Sequence, residues 1–171
     1  MNGAALEQAR RFYLSLGSNV RPEHNLAKAI ELLQAHGPVQ AISGVWESRA
    51  VGSQGPNFLN VCLGFVAPVT ETELKQRISE SFEIGLGRTR TSDKSAPRTI
   101  DIHIIMEGNC PRNPERWTHA FVVLPLSELL PDTLYPISHK HVAEEAIQPM
   151  ASTWTRRRPE GVAGLGGEHE V

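Results

Sequence analysis

Along residues 11–106 the apolar period switches between two and 3.6, and the order of those switches limits the architecture more than any other feature. Residues 11–16 (RFYLSL) read as a strand that stops at Gly17-Ser18-Asn19. Residues 22–36 carry Leu26, Ala29, Ile30 and Leu33 at the i, i+3, i+4, i+7 spacing of an amphipathic helix, closed by Gly37-Pro38. Residues 39–46 read as a second strand and 57–66 as a third. In the third, Leu59, Val61, Leu63 and Phe65 alternate with Phe58, Asn60 and Cys62, so the two sets face opposite ways. Thr70-Glu71-Thr72-Glu73 is a capping box, in which Thr70 and Glu73 each satisfy an orphan backbone donor. The helix it opens buries Leu74, Ile78 and Phe82 and ends near Gly85 and Gly87. Residues 99–106 are a fourth strand, 120–126 (AFVVLPL) read as a fifth, and 142–150 as a short closing helix.

Strand, helix, strand, strand, helix, strand is the split βαβ order. It predicts an α+β fold: a ferredoxin-like α/β sandwich, with a mostly antiparallel sheet and helices on one face. The other face is then free for ligands. The length of 171 residues suits one domain, expected over 1–152. Residues 153–171, with Arg156-Arg157-Arg158 and a Gly-rich end, are expected to form a flexible C-terminal tail. No internal repeat is evident.

A formal net charge of −2 argues against a general polyanion-binding surface, though it permits a local basic site. No apolar run approaches the ~20 residues a membrane-spanning helix needs, so no membrane association is expected. Two cysteines, Cys62 and Cys110, are too few for a disulfide framework. With no secretory signal at the N-terminus, the expectation is a reducing cytoplasm. Oligomeric state is not legible here.

The fourth strand carries the sharpest chemical signal. Alternation sends Ile100, Ile102 and Ile104 to the core, so Asp101 and His103 project together on the opposite face, about 7 Å apart along the strand. Two ligand-type side chains at i and i+2 suit a metal-and-phosphate site; the plainer reading is a polar, solvent-facing strand surface. The loop before it offers Arg88, Arg90, Lys94 and Arg98, whose charges match a triphosphate, or simply form a solvated loop. No G-x-x-x-x-G-K-[ST] segment is present, which argues against a P-loop. RNA binding through the sheet is a weak alternative, lacking an aromatic-rich strand pattern. Cys62 reads as a small packed residue, and His139-Lys140-His141 as surface.

Four pieces in chain order resemble the 6-hydroxymethyl-7,8-dihydropterin pyrophosphokinase family over roughly residues 12–132. They are Leu16-Gly17-Ser18-Asn19; residues 46–60 with Gly52, Pro56, Phe58, Leu59 and Asn60; Gly87-Arg88-Thr89-Arg90 followed by Pro97-Arg98-Thr99-Ile100-Asp101; and residues 121–132 (FVVLPLSELLPD). The resemblance implies pyrophosphoryl transfer from ATP to the pterin hydroxymethyl group in folate synthesis. It implies that the pterin amide edge meets Asn60 and backbone near Ser48 and Val51, with the ring between Phe58 and Phe121. Arg88, Arg90, Lys94 and Arg98 would lie on the triphosphate, with Glu83 and His119 near the nucleotide. Arg88, Arg98 and Asp101 would be the catalytic set, and Mg²⁺ with ATP the metal and co-substrate.

One departure bears on the chemistry. The family has two aspartates at i and i+2 holding two Mg²⁺ ions; this chain has Asp101 and then His103. Imidazole suits Mn²⁺ or another transition metal better than Mg²⁺. Residues 107–119 look shorter than the family's, a family arginine appears as His119, and a frequent loop tryptophan as Ser95. Three readings remain open: an active pyrophosphokinase, a divergent pterin-binding paralogue, and a ferredoxin-like RNA- or protein-binding module.

Overall fold

The computed structural model describes residues 8–50, 54–89, 92, 96–147 and 155–166. Strand β1 (Arg10–Ser18) leads into helix α1 (Pro22–His36), with bounds matching the periodic pattern; Pro22 sits in its first turn, where a missing N–H costs nothing. The expected second strand is two short ones, β2 (Val39–Ile42) and β3 (Trp46–Ser48). Strand β4 (Phe58–Ala67) follows, then α2 (Glu71–Arg77), β5 (Asp101–Glu107), β6 (Cys110–Pro111), α3 (Ala120–Leu129), α4 (Val142–Ile147) and β7 (Thr155–Arg157). The capping box is formed: the Thr70 side chain accepts from the Glu73 amide at 3.2 Å, and Glu73 accepts from the Thr70 amide at 2.7 Å.

The sheet runs β6-β5-β1-β4-β3-β7, with β2 also on β4, and every pairing is antiparallel. The α+β, ferredoxin-like class holds. One face buries Phe12, Leu14, Leu16, Leu59, Leu63, Phe65, Ile100, Ile102 and Ile104 against Leu26, Ile30 and Leu33 of α1 and Leu74 of α2. Each such side chain contributes about 1.5–3 kcal/mol through removal from water.

The expectation of helices on one face only is corrected. Residues 120–126 are not a fifth strand but the start of α3, which packs Val122, Val123 and Leu126 on the opposite face with Tyr13, Cys62 and Ile105. A short apolar run has no period to separate a buried helix from a buried strand, and Pro125 lies inside this one. The face expected to be open is therefore shared: α3 covers part of it and leaves the rest concave. Cys62 is buried there, and burial beside Glu128 pushes its thiol well up, consistent with a packed residue.

Residues 155–166, expected as a tail, are also corrected. β7 pairs with β3, and Leu165 joins the core beside α1. Of the closing helix expected over 142–150, residues 142–147 are helical and 148–150 lie outside the described residues.

Candidate active site

Opposed residues in an antiparallel ladder share a face, and the register draws one row across the sheet. Asp101 pairs with Gly17, Gly17 with Asn60, and Asn60 with Trp46. The next row holds His103 beside Ser15. A cavity of about 230 Å³ opens on these rows, lined by Gly17, Ser48, Phe58, Asn60, Phe121 and Val122 toward one end and by Arg98, Asp101, His103, Arg116 and His119 toward the other. Space is tight at Gly17: a Cβ there would press on Asn60 Oδ1 at 3.1 Å.

The charged end is built by the second helix and the loop after it. α2 continues into a π-helical turn over Ile78–Glu83, a local widening that recurs at functional sites. It delivers Glu83, 2% exposed, beneath the start of β5. Gly87, at φ 79°, reverses the chain so that Arg88 folds back over Glu83. Arg88 Nη1 donates to Glu83 Oε1 at 2.5 Å and to Asp101 Oδ1 at 2.7 Å, while Glu83 Oε1 also accepts from the Ile102 amide at 3.2 Å. Arg98 Nη1 donates to Asp101 Oδ2 at 2.5 Å. Arg98 itself is held by Asn19, whose Oδ1 accepts from the Arg98 amide at 2.6 Å and whose amide donates to the Arg98 carbonyl at 3.1 Å.

Burial alone would raise the Asp101 carboxyl. The His103 imidazole, Arg88 and Arg98 beside it outweigh burial and hold the group well below the usual carboxylate range. His103 Nε2 lies 3.0 Å from Asp101 Oδ2, close enough to feel its charge, and among the described residues that buried nitrogen makes no hydrogen bond. Asp101 and His103 are thus converging side chains, as the alternation predicts. Among the described residues no three His, Cys, Asp or Glu side chains form a metal-binding group, so the site offers a divalent ion one carboxylate and one imidazole. That donor set fits an ion held largely by phosphate oxygens.

The other end is built on uncharged hydrogen bonds, with the exposed Arg49 beside Ser48. Asn60 Nδ2 donates to Ser48 Oγ at 2.8 Å and to the Trp46 carbonyl at 3.2 Å, all three joined across β3 and β4. These bonds fix the amide, and its Oδ1 faces Gly17. His119, at the start of α3, stacks on Phe121 with centroids 4.8 Å apart and planes at 13°. Burial, then the charges of Arg116 and His103, hold His119 below its ordinary value, so it is neutral at pH 7.

The fold therefore brings together Ser48, Phe58, Asn60, Phe121, Arg98, Asp101, His103 and His119 around one cavity, with Glu83 and Arg88 beneath it. Val51, Arg90, Lys94 and Ser95 lie outside the described residues. Sequence reasoning missed Ser15, Arg49 and Arg116 as lining residues and Asn19 as the support of Arg98. Ser15 and Gly17 were detectable, since they alternate with buried Leu14 and Leu16 on β1; Arg116 carries no local signal.

A family model described as 7,8-dihydro-6-hydroxymethylpterin-pyrophosphokinase (HPPK) matches residues 13–131. The chain belongs to this family. Curated relatives named 2-amino-4-hydroxy-6-hydroxymethyldihydropteridine pyrophosphokinase include one from Porphyromonas gingivalis, 32% identical over 70% of this chain and 90% of its own length. One from Aquifex aeolicus is 35% identical over 77% of this chain and 88% of its own, and one from Synechocystis 32% identical over 81% and 75%. The HPPK match ends before α4 and β7 begin, so both are additions to the matched span.

Proposed function

We propose that this HPPK-family chain transfers a pyrophosphoryl group from ATP to the hydroxymethyl group of 6-hydroxymethyl-7,8-dihydropterin, releasing AMP. One observation carries the reading: a single cavity joins an end with a fixed amide and two aromatic rings to a charged end with Arg98, Asp101 and His103. A flat heterocycle with an amide edge suits the first, and a polyphosphate the second. The pterin edge meets Asn60 and backbone near Ser48 and Val51, and its ring lies between Phe58 and Phe121.

The pterin hydroxyl oxygen bonds to the β-phosphorus as the bond from that phosphorus to the α,β-bridging oxygen breaks. AMP leaves with that oxygen, and the hydroxyl proton passes to solvent. Such a step needs alignment and charge neutralisation more than covalent help from the protein. Arg98, with Arg90 and Lys94, neutralises the triphosphate. Glu83 acts on Arg88 rather than on the nucleotide, because its carboxylate is buried and already shared with Arg88 and the Ile102 amide. His119, neutral and stacked on Phe121, borders the two ends.

Asp101 and His103 would hold a divalent cation, which supplies further charge neutralisation at the phosphates. The family commonly uses Mg²⁺. The imidazole nitrogen here favours Mn²⁺ or another transition ion.

Purified protein given ATP and the pterin is expected to yield AMP and the pterin diphosphate. Absence of turnover with every one of Mg²⁺, Mn²⁺, Co²⁺ and Zn²⁺ sinks the proposal. The position of His103 against Asp101 favours a second reading, a pterin-binding relative with altered chemistry. Pterin fluorescence quenching that persists with no turnover would select it.

A further inference from the structure

β7 lies beyond the span that matches the family, yet it extends the same cross-sheet row that builds the site: Arg157 pairs with Trp46, as Trp46 pairs with Asn60. Both meet α3 through one side chain. Glu128 Oε1 accepts from Trp46 Nε1 at 2.7 Å and from Arg157 Nε at 3.0 Å, while its Oε2 accepts from the Gly44 amide at 2.9 Å. The Arg157 guanidinium lies directly against Gly44, where an added Cβ would come within 2.5 Å of Nη2.

Glu128 follows Phe121 by seven residues, which at 3.6 residues per turn puts both on the same side of α3, about 10 Å apart. The helix face that carries Phe121 on the cavity therefore also carries the carboxylate that grips β3. On the strand side, the Trp46 carbonyl and Ser48 Oγ are the acceptors that fix Asn60. The separation of α3 from β3 sets the spacing between Phe121 and the Asn60 amide.

We infer that Arg157, acting through Glu128, is a positioning residue that sets the width of the pterin end of the cavity. This makes the C-terminal strand part of the binding apparatus rather than an appendage, and it rests on the pyrophosphokinase reading. A Glu128 carboxylate without Arg157 still accepts from Trp46 and Gly44, but it loses the charged donor that offsets its partial burial and orients both oxygens. Arg157 is half-exposed, so its removal opens no core cavity.

The test uses the full chain with Arg157→Ala, Gly44→Ala and Glu128→Ala. Gly44→Ala displaces the guanidinium without touching the cavity. Binding is read by quenching of 6-hydroxymethylpterin fluorescence, and separately with a non-hydrolysable ATP analogue. Arg157→Ala and Gly44→Ala are expected to weaken pterin binding about threefold, and Glu128→Ala about tenfold, the scale of a charge-assisted hydrogen-bond group. Affinity for the ATP analogue stays within about twofold, below the worth of one exposed ion pair. If Glu128→Ala fails to fold, Arg157→Ala and Gly44→Ala still decide. Equal weakening of both ligands, or pterin binding unchanged in Arg157→Ala and Gly44→Ala, overturns the inference. Wild-type protein that does not quench the pterin overturns the pyrophosphokinase reading and this inference with it.

Discussion

The two ends of the cavity are built on opposite principles. At the charged end, Asp101 accepts from Arg88 and Arg98 and lies against His103, and Glu83 compensates Arg88 from below. Arg88, Arg98, Asp101 and Glu83 are each held by a charge of opposite sign, and on the proposed function a polyphosphate with its cation would compete for the same partners. At the other end, Asn60, Ser48 and the Trp46 carbonyl are joined by uncharged hydrogen bonds fixed in the sheet ladder. On the proposed function a pterin would find those groups already set. The charged end would exchange partners when its ligand arrives and the other would not, so metal, salt and charge substitutions are expected to act on the first, and shape and hydrogen bonding on the second.

The largest expected effect is at the charged end. Asp101→Asn removes the carboxylate that Arg88 and Arg98 share and leaves Arg88 its pair with Glu83. Turnover is expected to fall more than about 100-fold, as when a metal site loses its supporting groups. Stability drops by about 3 kcal/mol, the cost of breaking a buried pair. Steady-state assays and urea melts read the two, while pterin binding should survive. Loss of pterin binding in a folded variant would break the division between the ends.

His103→Asp comes next. It restores an oxygen donor and a negative charge, so the ratio of Mg²⁺- to Mn²⁺-supported activity is expected to rise on the order of tenfold. An unchanged ratio would remove His103 from the metal's surroundings. Asn60→Ala acts on the other end alone: it strands the Ser48 hydroxyl and should weaken pterin binding about tenfold, with the affinity for an ATP analogue intact. Comparable weakening of both ligands would mean the ends are coupled through β1, where Gly17 separates them.

The smallest effect is a control outside both ends. Thr70→Ala removes the cap of α2 and costs about 1 kcal/mol, read as a few degrees in thermal melting. Kinetic constants should not move. If they do, the helix that delivers Glu83 is less independent of its first turn than the geometry implies.

Local pattern was enough for much of this molecule. The bounds of α1, the capping box, and the split of β4 into Leu59, Val61, Leu63 and Phe65 against Phe58, Asn60 and Cys62 are all periodicity and short-range bonding, which a sequence displays directly. So is the projection of Asp101 and His103 away from Ile100, Ile102 and Ile104. The failures share one cause. The stretch AFVVLPL has no period, and only its packing over Tyr13, Cys62 and Ile105 makes it a helix on the face expected to be open. Arg156-Arg157-Arg158 read as part of a flexible tail because their partners are distant in sequence: Glu128 lies 29 residues from Arg157, and Glu47 lies 109 from Arg156.

The residues themselves determined which side chains share a face, where α1 and α2 begin, and the family to which the chain belongs. Side-chain alternation and capping depend on neighbours a few positions away. Only the tertiary structure decided that α3 walls one side of the cavity, that Asn19 holds Arg98, and that β7 is tied to α3 through Glu128. Those depend on groups brought together by chain closure, whose sequence separation leaves no local trace.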